Sequence, residues 1–137
     1  MWEPFSESAR RAILHSQQVA QMFASHCIGP EHIAFALAEG DDEIGHLLAG
    51  AFDRDAIRER LGAAGAAPAE EMEFSSGAKR TIELAFVNAR RLDHNSIDTA
   101  HLALGLLAAG DLPLLPTTDP ATLRAALDTA ATERLKG

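Results

Sequence analysis

The chain carries nearly the same message twice. Phe5-Ser6-Glu7-Ser8-Ala9-Arg10-Arg11-Ala12-Ile13 returns 69 residues later as Phe74-Ser75-Ser76-Gly77-Ala78-Lys79-Arg80-Thr81-Ile82. The same offset pairs Ala20 with Ala89, Phe23 with Leu92, Ile28 with Ile97, His32 with His101 and Leu37 with Leu106. A duplication constrains the fold before anything else does, because each unit must bury a face and the two must share a seam. It also turns every residue into a comparison. A side chain kept in both copies reads as packing, and one that differs marks where binding was kept or lost.

Each copy is patterned as helix. Phe5, Ala9, Ala12, Ile13, Ser16, Ala20 and Phe23 fall at three-to-four spacing, with Arg10, Arg11, Gln17, Gln18 and Gln21 opposite. Ser6 supplies an N-cap hydroxyl, so the first helix is predicted from about Ser6 to Ser25. Pro30, which needs no amide partner at a first helical position, and Glu31, suited to the positive end of the dipole, open a second helix that runs to Gly40. Asp41 and Asp42 start a short third helix with Ile44, Leu47 and Leu48, which should fray or bend at Gly45. A fourth starts at Asp53 and presents Ile57 and Leu61.

In the second copy Ser75 caps a helix on Ala78, Ile82, Ala85, Ala89 and Leu92, and Asp98 caps one through Leu102 and Leu106. The copies then part. Gly110-Asp111-Leu112-Pro113-Leu114-Leu115-Pro116 forbids a regular helix, so the third helix of copy two is eroded or replaced by an extended loop. A last helix starts at Asp119 with Pro120 just inside it and carries Leu123, Leu127 and Leu135. The expected fold is all-α: one domain over 1–137, built as tandem duplicated four-helix repeats, with repeat 1 over 4–61, a Gly-, Ala- and acid-rich linker over 62–73, and repeat 2 over 74–136, its third helix degenerate.

Composition agrees and excludes several functions. With 47% apolar and only 5% aromatic residues, the 137-residue chain can bury a continuous core of closely packed helices. A net charge of −8 opposes nucleic acid, whose phosphates repel an acidic body. Cys27 stands alone, so no internal disulfide forms; no leader pattern or 18-residue apolar run occurs, and a cytoplasmic, membrane-free protein is expected. His26, Cys27 and His32 fit no common zinc spacing, and no nucleophile, base and orienting acid form a set, so neither a metal, a cofactor nor an enzyme is expected. The recurring His32 and His101 read as structural side chains that pack or hydrogen-bond across a turn, not as catalysts.

Each copy thus joins a Phe-Ser-x-x-Ala-[Arg/Lys]-Arg opening and a long helix to a turn, Ile28-Gly29-Pro30-Glu31-His32-Ile33 in one and Ile97-Asp98-Thr99-Ala100-His101-Leu102 in the other. This resembles the Clp N-terminal repeat, the duplicated helical unit at the front of ClpA- and especially ClpC-type AAA+ unfoldases, over about residues 4 to 136. The resemblance implies a docking platform for substrates and adaptor proteins. These residues hold no Gly-x-x-x-x-Gly-Lys-[Ser/Thr] phosphate loop, so a recognition module without a motor is expected.

ClpC-like relatives bind phosphorylated arginine with a hydroxyl and amides at a helix start for the phosphate and the Glu of the turn for the guanidinium. By position this makes Ser6, Glu31 and His32 the candidates in copy one, with Pro30 where the family has Thr. Copy two keeps Ser75 and Thr99 as weaker candidates, but Ala100 replaces the acid. Clp ATPase or protease subunits and adaptor or substrate peptides, some arginine-phosphorylated, are the implied partners, to which the chain either delivers clients or competes for adaptors. The alternative is a stress- or transcription-linked regulator whose helices sense a small hydrophobic ligand. Phe86 and Val87, off the inward stripe, are assigned to the seam between repeats in preference to an exposed patch.

Overall fold

A computed structural model describes residues 4–23, 25–62, 73–110 and 114–134. Copy one contributes α1 (Glu7–Met22), α2 (Pro30–Ala38), α3 (Glu43–Ala49) and α4 (Arg54–Gly62). Copy two contributes α5 (Ser76–Arg91), α6 (Thr99–Ala109) and α7 (Pro120–Arg134). No helix lies among the described residues between α6 and α7, as the prolines require. Instead Leu114 bridges Phe52, and Leu115 N donates to Ala51 O at 2.8 Å. The extended segment therefore packs on the α3–α4 junction. Leu135 and most of the expected linker, residues 63–72, lie outside the described residues.

The core is one continuous cluster, running from Ile13, Val19, Ile33 and Ile44 in copy one to Ala85, Leu102, Leu106 and Leu127 in copy two. α2 and α6 are buried nearly all round, as their run of apolar residues demands. α1 and α5 lie outside them, each with one inward face and one polar face.

Two expectations need correction, and one element has no counterpart among them. α1 ends at Met22 rather than Ser25. α3 runs unbroken through Gly45; that residue lies against the Gly40 carbonyl, where a Cβ would collide, so the glycine serves close packing and does not break the helix. And the helices are joined by a small parallel ladder, β1 (Cys27–Ile28) with β2 (Glu73–Phe74), which joins residues far apart in sequence.

That ladder reveals how the repeats join. Ile28 pairs with Phe74, and the residues equivalent by duplication, Ile97 and Phe5, form a parallel bridge. Ser75 N donates to Ile28 O at 2.9 Å and Ser6 N to Ile97 O at 2.8 Å. Each copy's first helix therefore begins on the turn of the other copy. The pairing satisfies the backbone before each helix start and fixes the two repeats as a crossed pair. Phe86 packs into the same seam, its ring edge-on to Phe5 at 5.7 Å.

Candidate functional site

Crossing changes which candidate residues meet. Ser6 sits not beside Glu31 but on the copy-two turn, where its hydroxyl donates to Asp98 Oδ1 at 2.9 Å. Ser75 sits on the copy-one turn that holds Pro30 and Glu31; the α5 backbone passes so close that a Cβ on Gly77 would lie 3.2 Å from Pro30 Cδ. The seam thus carries two composite sites. The first is the α1 start with Asp98, Thr99 and Ala100; the second is the α5 start with Gly29, Pro30 and Glu31.

Both starts are built alike. Ser6 Oγ accepts from Ala9 N and Ser75 Oγ from Ala78 N, each at 3.1 Å, holding the first turn open at its positive end. Both turns are stiffened by a histidine. Gly29 N donates to His32 Nδ1, and Asp98 N to His101 Nδ1, each at 2.8 Å. With Nδ1 accepting, the neutral ring carries its proton on Nε2 and donates it onward, to Ser25 Oγ from His32 (3.0 Å) and to His94 Nδ1 from His101 (2.9 Å). His32 is 3% exposed, so this candidate holds the turn and does not face a ligand. Burial pushes the pKa of both rings down, that of His32 against the opposing pull of Glu31. For His101 burial and then the neighbouring His94 bring it to about 4.

The two sites differ in what fills them. In the first, Ser8 Oγ adds a bond to Asp98 Oδ1 at 3.0 Å, and Arg134 at the end of α7 puts Nε 2.6 Å from Asp98 Oδ2 and Nη2 3.3 Å from Ser8 Oγ. Arg134 Nη2 also reaches Asp42 Oδ2 at 3.4 Å. Burial alone would raise the Asp98 pKa, but the Arg134 guanidinium, the Ser6 hydroxyl and the Ala100 amide outweigh it and hold the carboxyl below its usual range. Thr99, a weaker candidate, is buried, its hydroxyl against Asp98. The aspartate of this site is paired by the protein's own arginine, which also lines a groove of about 460 Å³ with Ser8 and Thr99; sequence reasoning missed this residue because nothing in spacing ties the end of α7 to the α6 cap.

The second site has no such stopper among the described residues. Glycine replaces Asp98 at the cap, and the Glu31 carboxylate, partly exposed, folds back over Gly29 into the space a Cβ there would need. Ser76 and Lys79 on the first turn of α5 are exposed. A carboxylate and a capped, solvent-facing helix start lie on either side of the seam. Such an arrangement suits a ligand with an anionic end and a cationic end.

No helix among the described residues is long and apolar enough to cross a membrane, and no three His, Cys, Asp or Glu side chains among them gather as metal ligands. Cys27 is half-buried in β1.

These features define a class: a duplicated helical domain whose two copies join at a crossed seam. Residues 4–114 match the Clp repeat (R) N-terminal domain, and the chain belongs to that family, whose domains are substrate- and adaptor-binding modules of Clp chaperones. It is 34% identical over 117 residues to the ATP-dependent Clp protease ATP-binding subunit ClpA homolog of Guillardia theta, a match covering 81% of this chain and 14% of that protein. It is 33% identical over the same length to the chloroplastic chaperone protein ClpC2 of Arabidopsis thaliana, covering 12% of that protein. The chain thus spans about an eighth of the length of these relatives. Among solved structures it resembles the N-terminal domain of the caseinolytic protease associated chaperone ClpD from Arabidopsis thaliana, with TM-score 0.73 and 28% identity, covering 96% of this chain and 99% of that one. The Hsp104 N-terminal domain from Candida albicans shares the fold, with TM-score 0.73, 17% identity and coverage of 93% and 91%.

Proposed function

We propose that this chain captures peptide segments of substrates or adaptors for Clp-dependent proteolysis, and that its working site is the composite of Glu31 with the α5 start. The single observation that supports this reading is the crossed seam: the turn that carries Glu31 packs at the start of α5, and no cation among the described residues pairs with that turn, whereas on the other turn Arg134 pairs with Asp98. Arginine phosphorylated on its guanidinium fits both ends, its phosphate at the amides of Ser76 and Gly77 and its guanidinium nitrogens against Glu31. Pro30 then matters less than its departure from the family pattern suggests. It removes a donor from the start of α2, whereas the amides facing the anion belong to α5.

The test is capture with the purified chain as bait, in parallel with Glu31→Ala, read by whether Clp subunits or arginine-phosphorylated clients are recovered. The reading expects recovery by the parent and loss by the variant. Equal recovery by both contradicts the site, and recovery of neither contradicts the function.

A further inference from the structure

The two copies also differ along the outer wall of their first helices. On α5 the residues Arg80, Leu84, Val87 and Arg91 recur at spacings of four, three and four, one stripe of about 16 Å with two aliphatic side chains between two arginines. Leu84, Val87 and Arg91 of the stripe form one wall of a groove of about 520 Å³, with Arg80 one turn beyond it; Leu104, Leu107 and Ala108 of α6 form its floor, and Arg124 stands on the opposite lip at the start of α7. Val87 is 54% exposed within it. Phe86 and Val87 therefore divide the role assigned to them from sequence: Phe86 packs the seam, and Val87 faces outward into the groove.

The copy-one equivalents of the stripe are Arg11, His15, Gln18 and Met22. There His15 bonds Gln18 at 3.2 Å and reaches Glu39 at the end of α2 at 2.9 Å, so the side chains of the matching surface bond one another. Copy two has Leu84 and Val87 where copy one has that polar pair. Its helices also approach more closely, since Gly105 stands where copy one has Ala36 and lies against the Thr81 carbonyl.

Charge says what fits. In a chain of net charge −8, α5 carries Lys79, Arg80, Arg90 and Arg91 against a single Glu83. Arg91 is held by Asp128, with Nη2 at 2.6 Å from Oδ1, and by Asn88, and so forms a fixed part of the wall. Arg80, Arg90 and Arg124 take no partner among the described residues.

We propose that this groove docks an acidic amphipathic helix of a partner protein, its apolar face on Leu84, Val87 and Leu107 and its carboxylates on Arg80, Arg90 and Arg124. A stripe of this length matches about three helical turns. The proposal rests on the recognition role given above and adds to it a second, separate contact surface, remote from Glu31.

Fluorescence anisotropy tests it with a labelled 14-residue helical peptide bearing leucines on one face and glutamates beside them, against the same peptide with lysines for glutamates. The glutamate peptide should bind saturably. Val87→Glu should weaken it tenfold or more, Arg124→Glu several-fold, and Glu31→Ala not at all, with the lysine peptide at least tenfold weaker. Absent binding, equal affinity for both peptides, or indifference to both groove variants overturns the proposal. So does a dimer of the parent chain that Val87→Glu dissolves, since a second copy would then own the groove. Loss of peptide binding with Glu31→Ala alone would sink the groove while leaving the seam site standing, whereas the capture experiment judges the recognition role independently of this one.

Discussion

The α1 start and the α5 start are the same device put to different ends. Each is capped by a serine, each begins on the other copy's turn, and each faces a turn stiffened by a buried histidine. At the α1 start a buried aspartate and an arginine from α7 fill the space and tie α1, α6, α7 and the α3 cap together. At the α5 start glycine replaces the aspartate, and Glu31 remains partly exposed. Duplication allows this division. One site becomes a fastener that stabilises the fold, and the other, free of that duty, is the one to which we assign the ligand.

The largest effect that would sharpen the contrast between copies lies in their helix contacts. Gly105→Val should destabilise the fold by about 3 kcal/mol, the upper end of the overpacking range, because the added carbons meet the α5 backbone and not a movable side chain. The reciprocal change in copy one, Ala36→Gly, should cost only about 1 kcal/mol, the helix-propensity difference. Denaturant midpoints check both, and equal costs would mean that the two helix pairs pack alike.

Acid should separate the copies next. The folded pKa of His101 lies near 4, below the ordinary histidine value, so the folded state resists protonation that the unfolded chain accepts. Its contribution is fully present above pH ~6.5 and is lost as pH falls toward 4, on the order of 3 kcal/mol at ~1.4 kcal/mol per unit. His94→Ser copies the Ser25 arrangement of the first repeat, removes a neighbouring charge, and should flatten that slope. A variant that loses as much stability between pH 6.5 and pH 4 as the parent does would break the assignment.

The fastener should be worth somewhat less. Arg134→Ala leaves Asp98 buried without its cation and should cost about 2 kcal/mol, the scale of hydrogen bonds to charged groups. Because Asp98 is held below its usual pKa, its contribution is present above the ordinary carboxylate range and lost as pH falls below it, and the variant should lose less on acidification. The smallest effect is in the caps. Ser75→Ala should cost about 1 kcal/mol, a single cap, whereas Ser6→Ala should cost more because Ser6 also donates to buried Asp98. Thermal melts with equal losses would contradict the functional difference between the two starts.

Much of this was legible in the chain. The duplication, the caps at Ser6, Asp42, Ser75 and Asp98, the proline at the start of α2 and the loss of the third helix in copy two all follow from local rules, in which a few neighbouring residues determine the outcome. The candidate site was legible only as a set of residue types. Ser6 and Glu31 match the family's hydroxyl and acid by position within one copy, but the short ladders at Ile28 and Ile97 pair each copy's turn with the other's helix, and a two-residue strand leaves no periodicity to read. Arg134 was invisible for a related reason: its partners Asp98, Ser8 and Asp42 are brought to it by packing of α7, with no spacing in the sequence to announce them. Gly45 was misjudged because helix propensity speaks for bending, while the backbone of Gly40 occupies the place of its missing side chain.

The crossed seam with one open site is most directly examined by calorimetric titration of an arginine-phosphorylated peptide into the parent chain, Glu31→Ala, Ser75→Ala and Ser6→Ala. Binding to the parent and to Ser6→Ala, with at least tenfold weakening in Glu31→Ala and a clear loss in Ser75→Ala, is the result expected of a site that spans the two copies. Retained affinity in Ser75→Ala together with loss in Ser6→Ala, or no binding to the parent at all, would contradict it.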